Sequence, residues 1–257
     1  MEKHNFKKKY GQNFLNDNEL LDKIASSFNP EKNGKILEIG PGAGALTKKL
    51  IKYGNNVTSF EIDLELKETL DKIIVPNLEV IYEDFLNIKL KDYYKADDKI
   101  YVVANIPYYI TTPIITKFID EKFIPEEMVL MVQKEVGERL SAKSGTSDYG
   151  AITVLLNYYF NIEYLFTVDR SKFYPIPNVD SAIIKFTKKQ DLKEVDYNKF
   201  KSIVMDAFKQ KRKNLRNNFK KYDLNKIEEV LKKYNLSLNN RAEELDYEIF
   251  IKITNNL

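Results

Sequence analysis

Cysteine is absent from the 257 residues and histidine occurs once, as His4. Disulfides, thiol nucleophiles, zinc sites and histidine acid–base chemistry are thereby excluded, and no metal is expected. No apolar run reaches the ~18 residues of a membrane span, so no membrane partner is expected. The stretch Met1-Glu2-Lys3-His4-Asn5-Phe6-Lys7-Lys8-Lys9 is basic but has no apolar segment behind it, unlike a signal peptide. A cytoplasmic protein is the expectation. There is no internal repeat.

What is present is enough apolar content, 43%, for one large α/β domain with a small appendage. The net charge of +3 is unevenly spread. Residues 188–257 hold 17 Lys and Arg against 11 Asp and Glu, whereas residues 1–187 hold 24 against 27. The surplus is densest in Lys209 to Lys221, seven basic residues without an acid, as a contact to a phosphate backbone requires. A solvated helix face in a lysine-rich chain would look the same. Phe200, Ile203, Val204, Ala207, Phe208, Leu215 and Phe219 form an apolar stripe that predicts a helical run opposite these charges.

Strands and helices alternate along the first two-thirds. A helix is expected through Leu20, Leu21, Ile24 and Phe28, capped by Asn16 or Asp17. Lys35 to Ile39 reads as a strand that enters Gly40-Pro41-Gly42-Ala43-Gly44-Ala45, a turn into a helix ending near Tyr53-Gly54. Such a turn allows close backbone approach and offers helix N–H groups to a ligand. The next strand, residues 56–60, ends at Glu61, suitably placed to accept from both ribose hydroxyls. The glycines fit the dinucleotide fingerprint and the S-adenosylmethionine loop equally well. A third strand, 78–82, leads to Asp84, a candidate acceptor for an adenine amine.

The fourth strand, 99–104, runs into Asn105-Ile106-Pro107-Tyr108, the edge around which the rest is organised. Proline holds this segment extended at a strand's carboxyl end, where open α/β sheets bind ligands. The Asn105 amide oxygen and a neighbouring carbonyl supply two acceptors for a planar exocyclic amine. Tyr108 would stack on the base, a contact worth roughly 1–3 kcal/mol. Further elements are expected at 112–121, 128–132, through Val136 and Leu140, and at 151–159, with a polar loop at 141–149. Two late strands, 163–168 and 181–186, suggest an antiparallel pair at the sheet edge. Between them lies Phe173-Tyr174-Pro175-Ile176-Pro177, where Phe173 is either a second stacking surface or packing.

In order, Gly11-Gln12-Asn13-Phe14-Leu15, Glu38 to Gly44, Asn105 to Pro113, Phe173 to Ser181 and Lys211 to Asn218 strongly resemble the ribosomal RNA adenine dimethyltransferases, over nearly the whole chain. The resemblance implies a Rossmann-like class I S-adenosylmethionine-dependent methyltransferase sheet of seven strands, the last pair antiparallel, with a small all-helical C-terminal domain. By motif, Asn13, Leu15, Gly40, Glu61, Asp84 and Asn105 match the family's S-adenosylmethionine contacts, and Asn105, Tyr108 and Phe173 its target-base pocket. Residues 1–187 would be the catalytic domain, with 1–15 a basic N-terminal segment and cofactor motif, and 188–257 a helical RNA-binding domain. Phe208 to Asn218, Arg241 to Leu245 and Thr112-Pro113 look like the KsgA branch. That branch dimethylates two adjacent adenosines near the 3′ end of 16S rRNA in the small subunit, and a monomer is expected. Tyr109 departs from the asparagine common there. The alternatives are an Erm-type 23S rRNA dimethylase, a DNA adenine methyltransferase, for which the 70 residues beyond the core leave little room, and a non-catalytic RNA-binding assembly factor. A nicotinamide oxidoreductase would leave Asn105 to Tyr108 without a purpose.

Overall fold

The computed structural model describes residues 14–15, 17–105 and 110–257. They form two compact units, Met1–Gly137 with Glu163–Lys188, and Glu138–Ile162 with Lys189–Leu257.

The first unit opens with β1 (Phe14–Leu15) and α1 (Asn18–Ala25). Asp17 caps α1, its carboxylate accepting from the Leu20 N–H at 3.0 Å; Asn16 lies outside the described residues. Then come β2 (Lys35–Ile39), α2 (Thr47–Leu50), β3 (Val57–Phe60), α3 (Lys67–Leu70), β4 (Leu78–Ile81), β5 (Ile100–Asn105), α4 (Thr111–Asp120), β6 (Glu127–Gln133) and α5 (Lys134–Leu140). After α6 (Ala151–Tyr159) the chain continues through β7 (Phe160–Val168), β8 (Phe173–Tyr174) and β9 (Ser181–Lys188). The seven-stranded sheet has the order β4-β3-β2-β5-β6-β9-β7. Strands β2 to β6 pair in parallel, and β9 runs antiparallel to β6.

Central strands of such a sheet are covered on both faces and so read as unbroken apolar runs. In β5, Tyr101 and Val103 face a core shared with Ile36, Val129, Ile183 and Ile24 of α1, while Ile100, Val102 and Ala104 are buried on the other side.

The second unit joins α6 to α7 (Tyr197–Phe208), α8 (Leu215–Asn218), α9 (Leu224–Lys232) and α10 (Tyr247–Asn256). Asp196, Asp223 and Asp246 cap α7, α9 and α10 through their carboxylates. Its core includes Val154, Phe200, Val204, Phe219, Leu231 and Phe250. Helix α6 was expected with the first domain, but its Tyr158 ring lies 5.6 Å from that of Phe200, and the unit takes in 138–162. The basic stretch is also not one helical run. Helix α7 stops at Phe208, because the Asn218 amide bonds the Ala207 carbonyl at 2.6 Å and Asn214 caps the separate, short α8.

Candidate active site

Parallel register aligns four strand ends. Ile39 is opposite both Phe60 and Ala104, and Phe60 is opposite Ile81. One residue further along, Gly40, Glu61, Tyr82 and Asn105 therefore stand in a row at the carboxyl edge. Strand order reverses between β2 and β5, the switch point where open α/β sheets bind ligands. Gly40 and Asn105 flank it, and Asn105 is half-buried.

The glycine turn spends its own glycine N–H groups inside the fold. Gly40 donates to the Phe60 carbonyl at 2.9 Å, Gly44 to the Pro41 carbonyl at 2.9 Å, and Gly42 to Glu61 Oε2 at 3.0 Å. All three glycine donors are thus used internally. Gly44 sits at φ +78°, and a Cβ there would come within 2.6 Å of Ile73 Cδ1, so the close turn excludes a side chain.

Glu61 is buried, its other oxygen accepting from the Asp63 N–H at 2.9 Å. Burial pushes its carboxyl above the usual range, opposed by these two N–H bonds. Each carboxylate oxygen keeps a lone pair for a further donor. Asp84, half-exposed, accepts from the Leu86 N–H at 2.9 Å and from the Asn87 amide at 3.3 Å. Leu15 and Phe173 are register partners in the two-stranded ladder of β1 with β8, and both side chains are buried in one core cluster. Phe173 is only 4% exposed, so the structure gives its ring a packing contact. Asn13 and Tyr108 lie outside the described residues.

Glu38 was missed as a participant. A carboxylate inside a buried parallel strand is rare enough to have marked it. Its Oε2 accepts from Thr47 and Ser59 hydroxyls, each at 2.7 Å, while Oε1 is buried without a partner among the described residues. Burial, with Glu61 nearby, raises its pKa from 4.5 to about 7. Folded Glu38 therefore retains a proton between those values that the unfolded chain releases. The folded state binds more protons in that window, so stability falls as pH rises from 4.5, and the loss is complete above about 7. Glu38→Gln abolishes this titration. Urea denaturation should show the variant gaining on the parent by on the order of 3 kcal/mol across that range. Parallel pH curves would place the titration elsewhere.

Glu38, Glu61 and Asp63 are all at least 95% buried at this edge. Glu61 and Asp63, when ionised, repel an anionic ligand and favour one carrying positive charge, whereas Glu38 adds no charge while it keeps its proton. No group of three His, Cys, Asp or Glu residues that could hold a metal occurs among the described residues. None of the described helices is long and apolar enough to cross a membrane.

Sheet order and edge together define a Rossmann-like class I methyltransferase. The chain belongs to the ribosomal RNA adenine dimethylase family, whose model matches residues 3–257. It is 47% identical over 255 residues to the ribosomal RNA small subunit methyltransferase A of Fusobacterium nucleatum subsp. nucleatum, covering 96% of each chain. With the protein of the same name from Mycoplasma mobile it shares 43% over 249 residues, again 96% of each. Among solved structures, a dimethyladenosine transferase from Plasmodium falciparum superposes with a TM-score of 0.78 at 28% identity, over 93% of this chain and 95% of that one. The 23S rRNA methyltransferase ErmE gives 0.76 at 28% identity, over 95% and 99%.

Proposed function

We propose that the protein transfers methyl groups from S-adenosylmethionine to the exocyclic N6 amine of two adjacent adenosines near the 3′ end of 16S rRNA, as a cytoplasmic monomer acting on the small subunit or its precursor. The observation that carries the cofactor choice is the glycine turn, whose three glycine N–H groups are committed to Phe60, Pro41 and Glu61 beside buried acids. This suits a cationic sulfonium nucleoside and opposes a dinucleotide pyrophosphate. The small subunit is favoured over 23S rRNA by the names of relatives at 43–47% identity, against 28% for ErmE.

Gly40, Glu61, Asp84 and Asn105 would hold the cofactor, with Asn13 and Leu15 closing its N-terminal side. When bound, the cofactor supplies an activated methyl group, so no strong base is required of the protein. Glu61 would accept from the ribose hydroxyls and Asp84 from the adenine amine. Asn105 and a carbonyl at Ile106 or Pro107 would accept from the target amine, draw its lone pair out of conjugation and aim it. Tyr108 would cover one face of the base. Phe173 would meet the other only if its ring is uncovered when RNA binds. Residues of the second unit would bind RNA.

Glu61→Ala should weaken binding of S-adenosylhomocysteine by about ten- to a hundredfold, a loss of roughly 1.5–3 kcal/mol for a charge-assisted contact. Isothermal titration calorimetry measures it directly. Affinity equal to the parent's would show that β3 does not end at the ribose.

A further inference from the structure

Helix α4 lies on the chain just beyond the Asn105-Ile106-Pro107-Tyr108 motif, yet two of its polar groups are spent on a different loop. The Lys117 side chain is only 10% exposed, whereas an ordinary helix-surface lysine is solvated. Its ammonium donates to the carbonyls of Ile88 at 2.5 Å and Leu86 at 3.5 Å, and it is ion-paired with Glu121. Glu121, just past the end of α4, accepts from the Leu90 N–H at 2.7 Å through its second oxygen. The loop so gripped carries Asp84. Leu86 is the link: its N–H donates to Asp84 Oδ1 at 2.9 Å while its carbonyl faces Lys117. Phe85 adds an apolar anchor, its ring centroid 5.6 Å from that of Phe118 on α4.

Nothing in the fold requires this expense. A part-buried ammonium is costly unless its donors find partners, and an apolar residue at position 117 would pack against Phe85 without that penalty. What the charge provides is direction, since it fixes two carbonyls of one loop and, through Glu121, a third backbone group. We propose that Lys117, supported by Glu121, is a positioning residue that holds the Asp84 loop in its ligand-binding shape from the helix following the acceptor motif. This rests on Asp84 contacting the cofactor, as argued above. Lys117 itself touches no substrate.

The test compares Lys117→Met, Lys117→Arg and Asp84→Asn in the full chain, reading S-adenosylhomocysteine affinity by calorimetry, single-turnover methyl transfer and the thermal midpoint. Lys117→Met should raise the dissociation constant about three- to tenfold. At saturating cofactor and RNA its rate should return to within about twofold of the parent, the loss appearing in cofactor KM and not in kcat. Lys117→Arg, still able to donate to both carbonyls, should restore most of the affinity. A lower thermal midpoint with unchanged affinity would overturn the proposal and leave Lys117 as a stability residue. If Lys117→Met does not fold, Glu121→Gln is measured instead. It keeps an acceptor for Leu90 but removes the counter-charge, so a two- to threefold weakening is expected, and unchanged affinity overturns the proposal equally. Asp84→Asn separates the two layers. If it binds as the parent does, the cofactor role of Asp84 fails and the brace with it. If it weakens binding while Lys117→Met does not, only the brace is lost.

Discussion

Asn105→Ala should lower the single-turnover rate of methyl transfer at saturating cofactor and RNA by on the order of a hundred- to a thousandfold, the scale of removing a preorganised hydrogen-bonding group from where charge develops. An exocyclic adenine amine is a poor nucleophile because its lone pair is delocalised into the ring. Acceptors on its N–H groups restore that pair, and they act only if already fixed in place. Asn105 meets the condition. It ends a strand whose residues 100–104 are buried, paired in parallel on both sides, with Ala104 opposite Ile39 and Asn105 opposite Met131. Binding of S-adenosylhomocysteine should fall much less than the rate, since Gly40, Glu61 and Asp84 remain. A rate within threefold of the parent would remove Asn105 from the chemistry. A pH–rate profile demanding a group with pKa near neutrality would instead point to a base, for which Glu38 is the buried group to examine first.

The edge was legible in the chain because strand ends are marked by local chemistry. Lys35 to Ile39 is bounded as the apolar run and the glycines indicate, and β5 runs one residue past the expected Ala104, so that Asn105 is itself within the ladder. Three features were not legible, each for a reason of packing. Helix α6 has the same apolar character whichever core it enters, and only its contacts with α7 place it in the second unit. The Gly42 N–H finds its partner because Glu61 is buried and turned towards it, a long-range consequence of register between β2 and β3, while Gly40 continues that ladder to the Phe60 carbonyl. Phe173 could stack or pack, and pairing of β8 with β1 buries it beside Leu15.

The basic stretch is where sequence and structure differ most usefully, and it carries the other large expected effect. Its side chains from Lys209 to Arg212, and Lys213, Arg216, Lys220 and Lys221, are exposed. Had Arg212 and Arg216 been tied to acids of the catalytic core, they would serve architecture. Arg216 instead pairs at 3.5 Å with Glu228 of its own unit, and Lys221 at 2.7 Å with Asp206, also of its own unit. Lys211 donates to the Ser147 carbonyl at 2.6 Å. Among the described residues Arg212, Lys213 and Lys220 make no side-chain ion pair or hydrogen bond. Exposed pairs of this kind are worth about 0–1 kcal/mol each and yield readily to phosphate. The unit that carries them holds 18 basic against 13 acidic residues, the other unit 23 against 25, so the positive surplus lies in the former. If four phosphates are met, log K should fall against log salt with a slope of roughly −3 to −4, about a hundredfold between 50 and 200 mM salt. Neutralising Lys211, Arg212, Lys213 and Arg216 together should flatten that slope by about three and weaken binding to the small subunit by a comparable factor at low salt. S-adenosylhomocysteine affinity should not change, because the glycine turn, Glu61 and Asp84 belong to the other unit. If the salt slope is retained while the thermal midpoint drops, these residues hold the second unit together and the RNA is bound elsewhere.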